Sequence, residues 1–295
     1  LLLVMAGLLA QSLFNVLRAD VGLRVDSVLA FSIAPEGNGY TGERSRALFE
    51  RIEEDLRTLP GVDSVGSSTM RLLANNEWNA GVEIEGVERD PDVPTEAQLN
   101  FVGADFFATL ELPLRAGRAF TDADTLGRPD VAIVNQRFVE LYAAGAQMLG
   151  KRVGLFESGP VIEVVGVVQN AKYDDVKGAI RPQIFRPRRQ TTNLGTMTFY
   201  VRGPGDQAAL SASIRALVAR LDPQLPVDGL HDMSAQIREN VFLDRFTGLL
   251  ASGMAVLATL LAALGLYGVL SYTLAQRTGE LGLLMPALAR LTTAG

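Results

Sequence analysis

FTGLLASGMAVLATLLAALGLYGVLSYTLAQ, residues 246–276, decides how the rest of the chain is read. No charged side chain occurs between Arg245 and Arg277. A bilayer core about 30 Å thick takes about 20 apolar residues of helix, and this stretch exceeds that. A helix that is apolar all round is buried in a large core or in lipid, and core helices are rarely so long. The stretch therefore reads as a membrane span, with the rest of the chain attached to a membrane. Upstream, Asp232 and Ser234 are both N-cap residues, and no proline lies between Pro226 and Pro286. One helix is thus expected across residues 234–276, roughly 64 Å long at about 1.5 Å per residue. Half of it would stand outside the bilayer as a stalk.

The other end of the chain is also apolar. Leu1–Leu17 carries no charge, no basic region precedes it and no small-residue cleavage site follows. Residues 1–18 read as the C-terminal part of a transmembrane helix in a piece of a larger protein.

Between the two, residues 26–232 have ordinary globular composition and are expected to form one α+β domain. Ser27–Ile33 reads as a strand. From Thr41, Leu48, Ile52, Leu56 and Leu59 recur at helical spacing, with Glu50, Glu53, Glu54 and Arg57 on the other side. Pro60-Gly61 stops that helix, and Val62–Ser68 is a second strand, which completes a β-α-β unit. A second unit is expected near the end: strand Thr196–Arg202, helix Gln207–Leu221, then a short strand within Leu225–Leu230. The middle reads as strand-rich, with strands at Ala80–Val87, Leu99–Val102, Val131–Val134, Lys151–Phe156, Val161–Gln169 and Pro182–Phe185. A short helix is expected at Ala104–Leu110 and another from the cap Asn135 to Tyr142, with turns across Pro113–Thr125.

The chemistry-bearing residues are few. There is no cysteine, so disulfides and thiolate metal sites are excluded. A net charge of −6 leaves no basic footprint for nucleic acid. His231 is the one histidine, and a surface role is expected for it. Asp122, Asp124 and Asp130, and separately Asp174-Asp175, lack the spacing of a calcium loop and read as solvated turn acids. Arg181–Arg189 (RPQIFRPRR) reads as a surface edge strand broken by prolines. No GxxxxGK[ST] or strand-preceded GxGxxG is present, so any ATPase lies elsewhere. No cofactor is expected. In the apolar helix, Gly248/Ser252, Ala251/Ala255 and Ala258/Ala262 are small pairs four apart, and Gly265 and Gly268 extend them. Such residues permit close helix approach in lipid.

Several stretches together resemble a known family. They are Leu59-Pro60-Gly61-Val62, Asp105–Phe120 (DFFATLELPLRAGRAF), Val131–Phe138 (VAIVNQRF), Leu149–Val153 (LGKRV), Val164–Asn170 (VVGVVQN), Leu221–Val227 (LDPQLPV) and Arg245–Glu280. In order and spacing the chain is similar to permeases of the MacB/FtsX-like ABC transporter group, particularly the duplicated acidobacterial-type orphan permeases. The resemblance implies an α+β extracytoplasmic domain, with porter-like β-α-β units and an inserted strand-rich lobe, flanked by transmembrane helices. It implies a bacterial inner-membrane protein with residues 26–232 periplasmic or extracellular. It also implies a non-enzymatic subunit coupled to a cytoplasmic ATPase, with other transmembrane helices of the same permease or a second copy, and membrane lipid, as neighbours. In the family the segment after the last helix contacts the ATPase. Arg277, Glu280 and Gly282 match it here, whereas Leu284 and Pro286 depart from it. Residues 277–295 thus read as a truncated cytoplasmic segment.

A membrane-anchored sensor or binding module without transport is the alternative, and a hydrolase would have to use His231. Arg18 and Arg24 at one end balance Arg277 and Arg290 at the other, so charge alone does not orient the chain. An unbroken helix across 234–276 predicts slow amide hydrogen exchange at residues 241–247, and fast exchange there would break the stalk in two.

Overall fold

The computed structural model describes residues 22–74, 78–87, 94–143, 147–156, 159–173, 179–192, 194–237, 250–269 and 271. The chain divides into two units, residues 19–240 and residues 1–18 with 241–295.

The first unit starts from β1 (Val28–Ile33), whose residues are buried on both faces, the mark of a central strand. Helix α1 (Glu43–Arg57) leads to β2 (Ser64–Ser68). Much later in the chain, β10 (Met197–Arg202), a helix at Gln207–Leu221 and β11 (Asp228–Asp232) follow. The four strands run in the order β11–β1–β10–β2, each antiparallel to its neighbour. β1 and β2 are therefore parallel with β10 between them, and β10 and β11 are parallel with β1 between them. Two interlocked β-α-β units result, a β-α-β-β-α-β pattern.

Register decides what each face meets. Leu29, Phe31 and Ile33 stand opposite Val201, Phe199 and Met197. This face packs under Phe49, Ile52 and Leu56 of α1 and Ile214 and Leu217 of the later helix. Phe199 is its centre, with its ring 5.4 Å from Phe31 and 6.2 Å from Phe49.

The strand-rich middle is inserted between β2 and β10. It comprises β3 (Asn79–Ile84), β4 (Glu96–Val102), α2 (Phe106–Thr109), β5 (Leu114–Gly117), β6 (Val131–Asn135), α3 (Gln136–Tyr142), β7 (Arg152–Leu155), β8 (Ile162–Val168) and β9 (Gln183–Pro187). The Gln207–Leu221 helix is then α4. β2 hands the sheet on to β4 where Ser68 faces Val102. From β4 the pairing runs through β3, β7, β8, β6 and β9, and β9 pairs back onto β4. Six strands close into a ring.

One face of each strand lines its inside. Ala80 faces Ala97, Ile84 faces Val153, Val153 faces Ile162, Ala132 faces Val164, and Val134 and Leu99 both face Ile184. Phe138 of α3 and Met148 join this interior. Alternate residues such as Glu83, Glu96, Arg152 and Glu163 are exposed outside. Asn135 ends β6 and caps α3, its side chain accepting from the Phe138 N–H at 2.9 Å.

The expected fold class is found: β-α-β units with a strand-rich insertion. Two expectations need correction. The Arg181–Arg189 stretch is not a surface edge strand, because β9 runs between β4 and β6 and is almost wholly buried. Its prolines sit where no ladder donor is needed: Pro187 ends the strand, and the carbonyl of Pro182 accepts from the Gln98 N–H. The turn-rich Pro113–Thr125 contains a strand, β5, which takes the edge of β8 beyond β7. Gly117 there has φ 78°, and a Cβ on it would collide with the Val165 carbonyl.

After β11, residues 233–237 form a helical turn. Asp232 Oδ1 caps it, accepting from the Ser234 N–H at 2.8 Å and the Ser234 hydroxyl at 2.6 Å. Residues 238–249 are outside the described residues, and so is the continuity of the expected 234–276 helix. The expected helix end at residues 1–18 and the segment 277–295 are outside them too. In the second unit, α5 (Leu250–Val269) is a 20-residue helix of mean hydropathy 1.9 with its apolar side chains exposed. At about 1.5 Å per residue it matches the thickness of a bilayer core.

Phe199→Ala should cost the first unit about 3–5 kcal/mol by emptying the space between Phe31 and Phe49, read as a lower urea midpoint in the near-ultraviolet circular dichroism of the full chain.

Candidate functional site

The inserted ring is joined to the β-α-β-β-α-β part by a buried charge cluster. Glu53 lies one residue beyond Ile52 on α1, at the margin of its apolar stripe, and is only 3% exposed. Its Oε1 accepts from Arg57 at 2.5 Å, and its Oε2 accepts from Ser67 at 2.9 Å and from Arg188 at 2.8 Å. Arg188 is also 3% exposed and begins the 3-10 turn that follows β9. Arg57 also donates to Asp105, at 2.8 Å, just before α2. One carboxylate thus ties α1, β2 and the end of the ring. Gly103 lies close above it, where a Cβ would come within 2.5 Å of the Ser67 hydroxyl.

The expectation that Glu53 lies on the solvent side of α1 is therefore wrong. Position 53 stands four after Phe49 and three before Leu56, which places it on the buried face, and that spacing was legible. Removing a carboxylate from water is costly, and only a partner such as Arg188, with hydrogen bonds to spare oxygens, offsets it.

The acids read as solvated turns divide. Asp122 is exposed and lies 3.0 Å from Arg189 Nη1. Asp130 accepts from Arg186 at 2.5 Å. Asp124 is buried, which corrects the reading for that residue. Burial pushes its carboxyl up, but the two-pronged Arg118 guanidinium at 2.9 Å and the Thr121 N–H at 2.8 Å outweigh this and hold it below the ordinary range. Asp174-Asp175 lies outside the described residues. Among the described residues no group of three or more His, Asp and Glu side chains is placed to hold a metal ion.

His231 sits on β11 with Arg71 Nη2 2.9 Å from its Nδ1 and Gln236 Oε1 2.5 Å from its Nε2. Nδ1 also lies against the Gly229 carbonyl. Gln236 in turn donates to the Leu73 carbonyl at 3.1 Å. The ring is wired between β11, the segment after β2 and the 233–237 turn. The stretch GAQMLGKR at residues 145–152 falls one residue short of a phosphate loop, with Arg152 in place of Ser or Thr. A strand, β7, follows it instead of the helix that such a loop needs.

On α5, Ala251, Ala255, Ala258, Ala262 and Gly265 follow one another at spacings of four and three, so they form one stripe. Ser252 and Gly268 lie at its two flanks. Leu257, Leu260, Leu264 and Tyr267 occupy the opposite side. Gly248, Arg277, Glu280 and Gly282 are outside the described residues.

A profile of the MacB-like periplasmic core domain matches residues 1–217. The chain is 24% identical over 264 residues to the macrolide export ATP-binding/permease protein MacB of Aggregatibacter actinomycetemcomitans, across 86% of this chain and 38% of that protein. It is 24% identical over 253 residues to the pyoverdine export ATP-binding/permease protein PvdT of Pseudomonas syringae pv. tomato, across 81% of this chain and 37% of that protein. The chain therefore spans less than two fifths of the length of these curated relatives. Among solved structures, the periplasmic region of MacB from Actinobacillus actinomycetemcomitans is similar with a TM-score of 0.49 and 16% identity, covering 77% of this chain and 98% of that one. The extracellular domain of the transporter YknZ from Gram-positive bacteria gives 0.43 and 17%, covering 67% of this chain and 98% of that one.

Two outcomes test the charge cluster and the buried acid. Glu53→Gln should cost about 3 kcal/mol in urea unfolding, because Arg188 stays buried without a counter-charge, and the pair Glu53→Leu with Arg188→Met should cost less than the sum of its single changes. Asp124→Asn should lower stability by about 1–3 kcal/mol at pH 7. A carboxyl held low in the folded state stabilises above its unfolded pKa and loses that contribution as pH falls through the folded value. The gap between the two proteins should therefore narrow in unfolding series taken below about pH 4, the ordinary aspartate range.

Proposed function

The chain belongs to the family of the MacB-like periplasmic core domain, and from this we propose that it is the permease part of an ABC-type transporter, non-catalytic in itself. The observation that carries the reading is the family match over residues 1–217 followed by the charge-free helix Leu250–Val269. The curated relatives are described as ATP-binding/permease proteins. No phosphate loop occurs in these 295 residues, so the reading places ATP hydrolysis outside them, on a cytoplasmic ATPase.

In this reading residues 26–232 stand outside the cytoplasm, residues 234–276 supply stalk and span, and residues 277–295 return to the cytoplasm. The stripe of Ala258, Ala262 and Gly265, flanked by Ser252 and Gly268 and continued by Gly248, packs against other transmembrane helices of the same permease or a second copy. Small side chains allow that close approach, and lipid bathes the leucine face. Arg277, Glu280 and Gly282 take up motion from the ATPase. A helix transmits displacement along its axis, and the closed ring and the Glu53 cluster let the outer unit move as a body. The cargo names of the relatives, macrolide and pyoverdine, stay with those proteins.

The chain has no cysteine, so single introduced thiols report cleanly. In intact cells Glu83→Cys should react with a membrane-impermeant maleimide, and Arg277→Cys should react only after lysis. The Arg277→Cys thiol should also crosslink to an ATPase subunit in membranes. Labelling of the two thiols from the same side would overturn the topology. Correct labelling without a crosslinked ATPase would leave the membrane-anchored sensor as the better reading.

A further inference from the structure

His231 is the one histidine of the chain, and histidine is the side chain that ordinarily changes charge between pH 5 and 8. It sits on β11, opposite Ala30 of β1. Its Nε2 lies 2.5 Å from Gln236 Oε1. The Gln236 amide is turned this way because its nitrogen donates to the Leu73 carbonyl at 3.1 Å. An amide oxygen only accepts, so Nε2 carries a proton.

Nδ1 is placed differently. It lies between a donor, Arg71 Nη2 at 2.9 Å, and an acceptor, the Gly229 carbonyl. The same Nη2 is 3.4 Å from Nε2 and 3.2 Å from the Gly229 carbonyl. Without a proton, Nδ1 accepts from Arg71. With one, it donates to Gly229, and the guanidinium is left beside a second positive charge. The Nε2 bond to Gln236 is kept in both states. The two charge states of the imidazole therefore differ in the contact with Arg71.

The surrounding groups leave that difference standing. β1 brings Leu29, Ala30 and Ser32 to this pairing, and residues 233–237 read MSAQI, so neither adds a charge. On β11 itself, Asp232 Oδ1 is taken up by Ser234, and Asp228 is exposed three residues before His231. Tyr200 of β10, opposite Ala30, keeps its proton, because burial pushes its phenol up to about 12. Among the described residues Arg71 is the charged group that faces the imidazole. It belongs to the segment that leads from β2 to β3 and so into the insertion, whereas Gln236 belongs to the turn after β11.

We propose that His231 is a proton-sensitive latch. Uncharged, it holds Arg71 and ties the entry of the insertion to the turn after β11. Charged, it releases Arg71 and loosens that tie. The latch lies within the first unit and does not rest on transport or on an ATPase partner.

With one histidine in the chain, 15N NMR reads its two nitrogens directly in the full chain in nanodiscs of zwitterionic lipid. At pH 7.5 Nε2 should carry a proton and Nδ1 none, and at pH 5.0 both should be protonated. Amide hydrogen exchange, corrected for the intrinsic effect of pH, should be about fivefold or more faster at pH 5.0 for residues 70–73 and 229–236, with residues 48–56 of α1 unchanged. His231→Gln should give equal corrected exchange at the two pH values. Arg71→Gln should cut the ratio to about twofold or less, because no cation is left to release. Protection of residues 48–56 checks that each variant is folded, and the parent alone decides if one is not. A bare Nε2 at pH 7.5, an imidazole still uncharged at pH 5.0, or no response to pH at residues 70–73 would overturn the latch. So would a response that α1 shares, or one that survives in full in either variant.

Discussion

The parallel pairing of β9 with β4 is the contact on which the first unit depends. Gln98 to Val102 run beside Gln183 to Pro187 in register. This one ladder closes the six-stranded ring. It also delivers Arg188, the next residue, to Glu53 on α1. A parallel neighbour cannot be reached by a tight turn, so the chain between β4 and β9 has to travel. It does so through α2, β5, β6, α3, β7 and β8, which build the rest of the ring on the way. Ring closure and the joining of the ring to the β-α-β-β-α-β part are thus consequences of one pairing.

The charge cluster behind this pairing is a junction more than a store of stability. Buried ion pairs gain little net energy over apolar residues of like volume, but a broken one is expensive. Glu53 takes bonds from three elements at once, so any shift of the ring relative to α1 would strand a charge. In a domain proposed to move with a membrane helix, that resists internal slippage. The uncompensated donors of Arg71 and Tyr173 are a different case. Tyr173 is buried beside Phe106 and Phe185, and among the described residues its hydroxyl and Arg71 Nε have no acceptor, although Arg71 Nη2 donates to the Gly229 carbonyl.

How much of this could be read beforehand varied by element. The helices at Glu43–Arg57 and Gln207–Leu221, the capping by Asn135 and the strands β7 and β8 were visible, because each rests on spacing within one short stretch. The direction of β9 among its neighbours was not. RPQIFRPRR, rich in arginine and proline, has the composition of an edge, and only its partners at positions 98–102 and 133–134 make it central. Asp124 failed for the same reason: a turn acid is solvated unless the fold brings Arg118 and Thr121 around it. Glu53 was legible from its spacing to Phe49 and Leu56, although its charge by itself points to the solvent side.

What the amino-acid sequence determined by itself was local and periodic: a charge-free span, two β-α-β units and the strands of the insertion. Membrane insertion and amphipathic periodicity are set by neighbours a few residues away, so a string of residues carries them whole. Tertiary structure alone decided the closure of the ring, the burial of Glu53 and Arg188 against each other across 135 positions of chain, and the meeting of Arg71 with His231 across 160 positions. These depend on which distant strands pair and in what register, and pairing energy is distributed over long-range contacts that no local window contains.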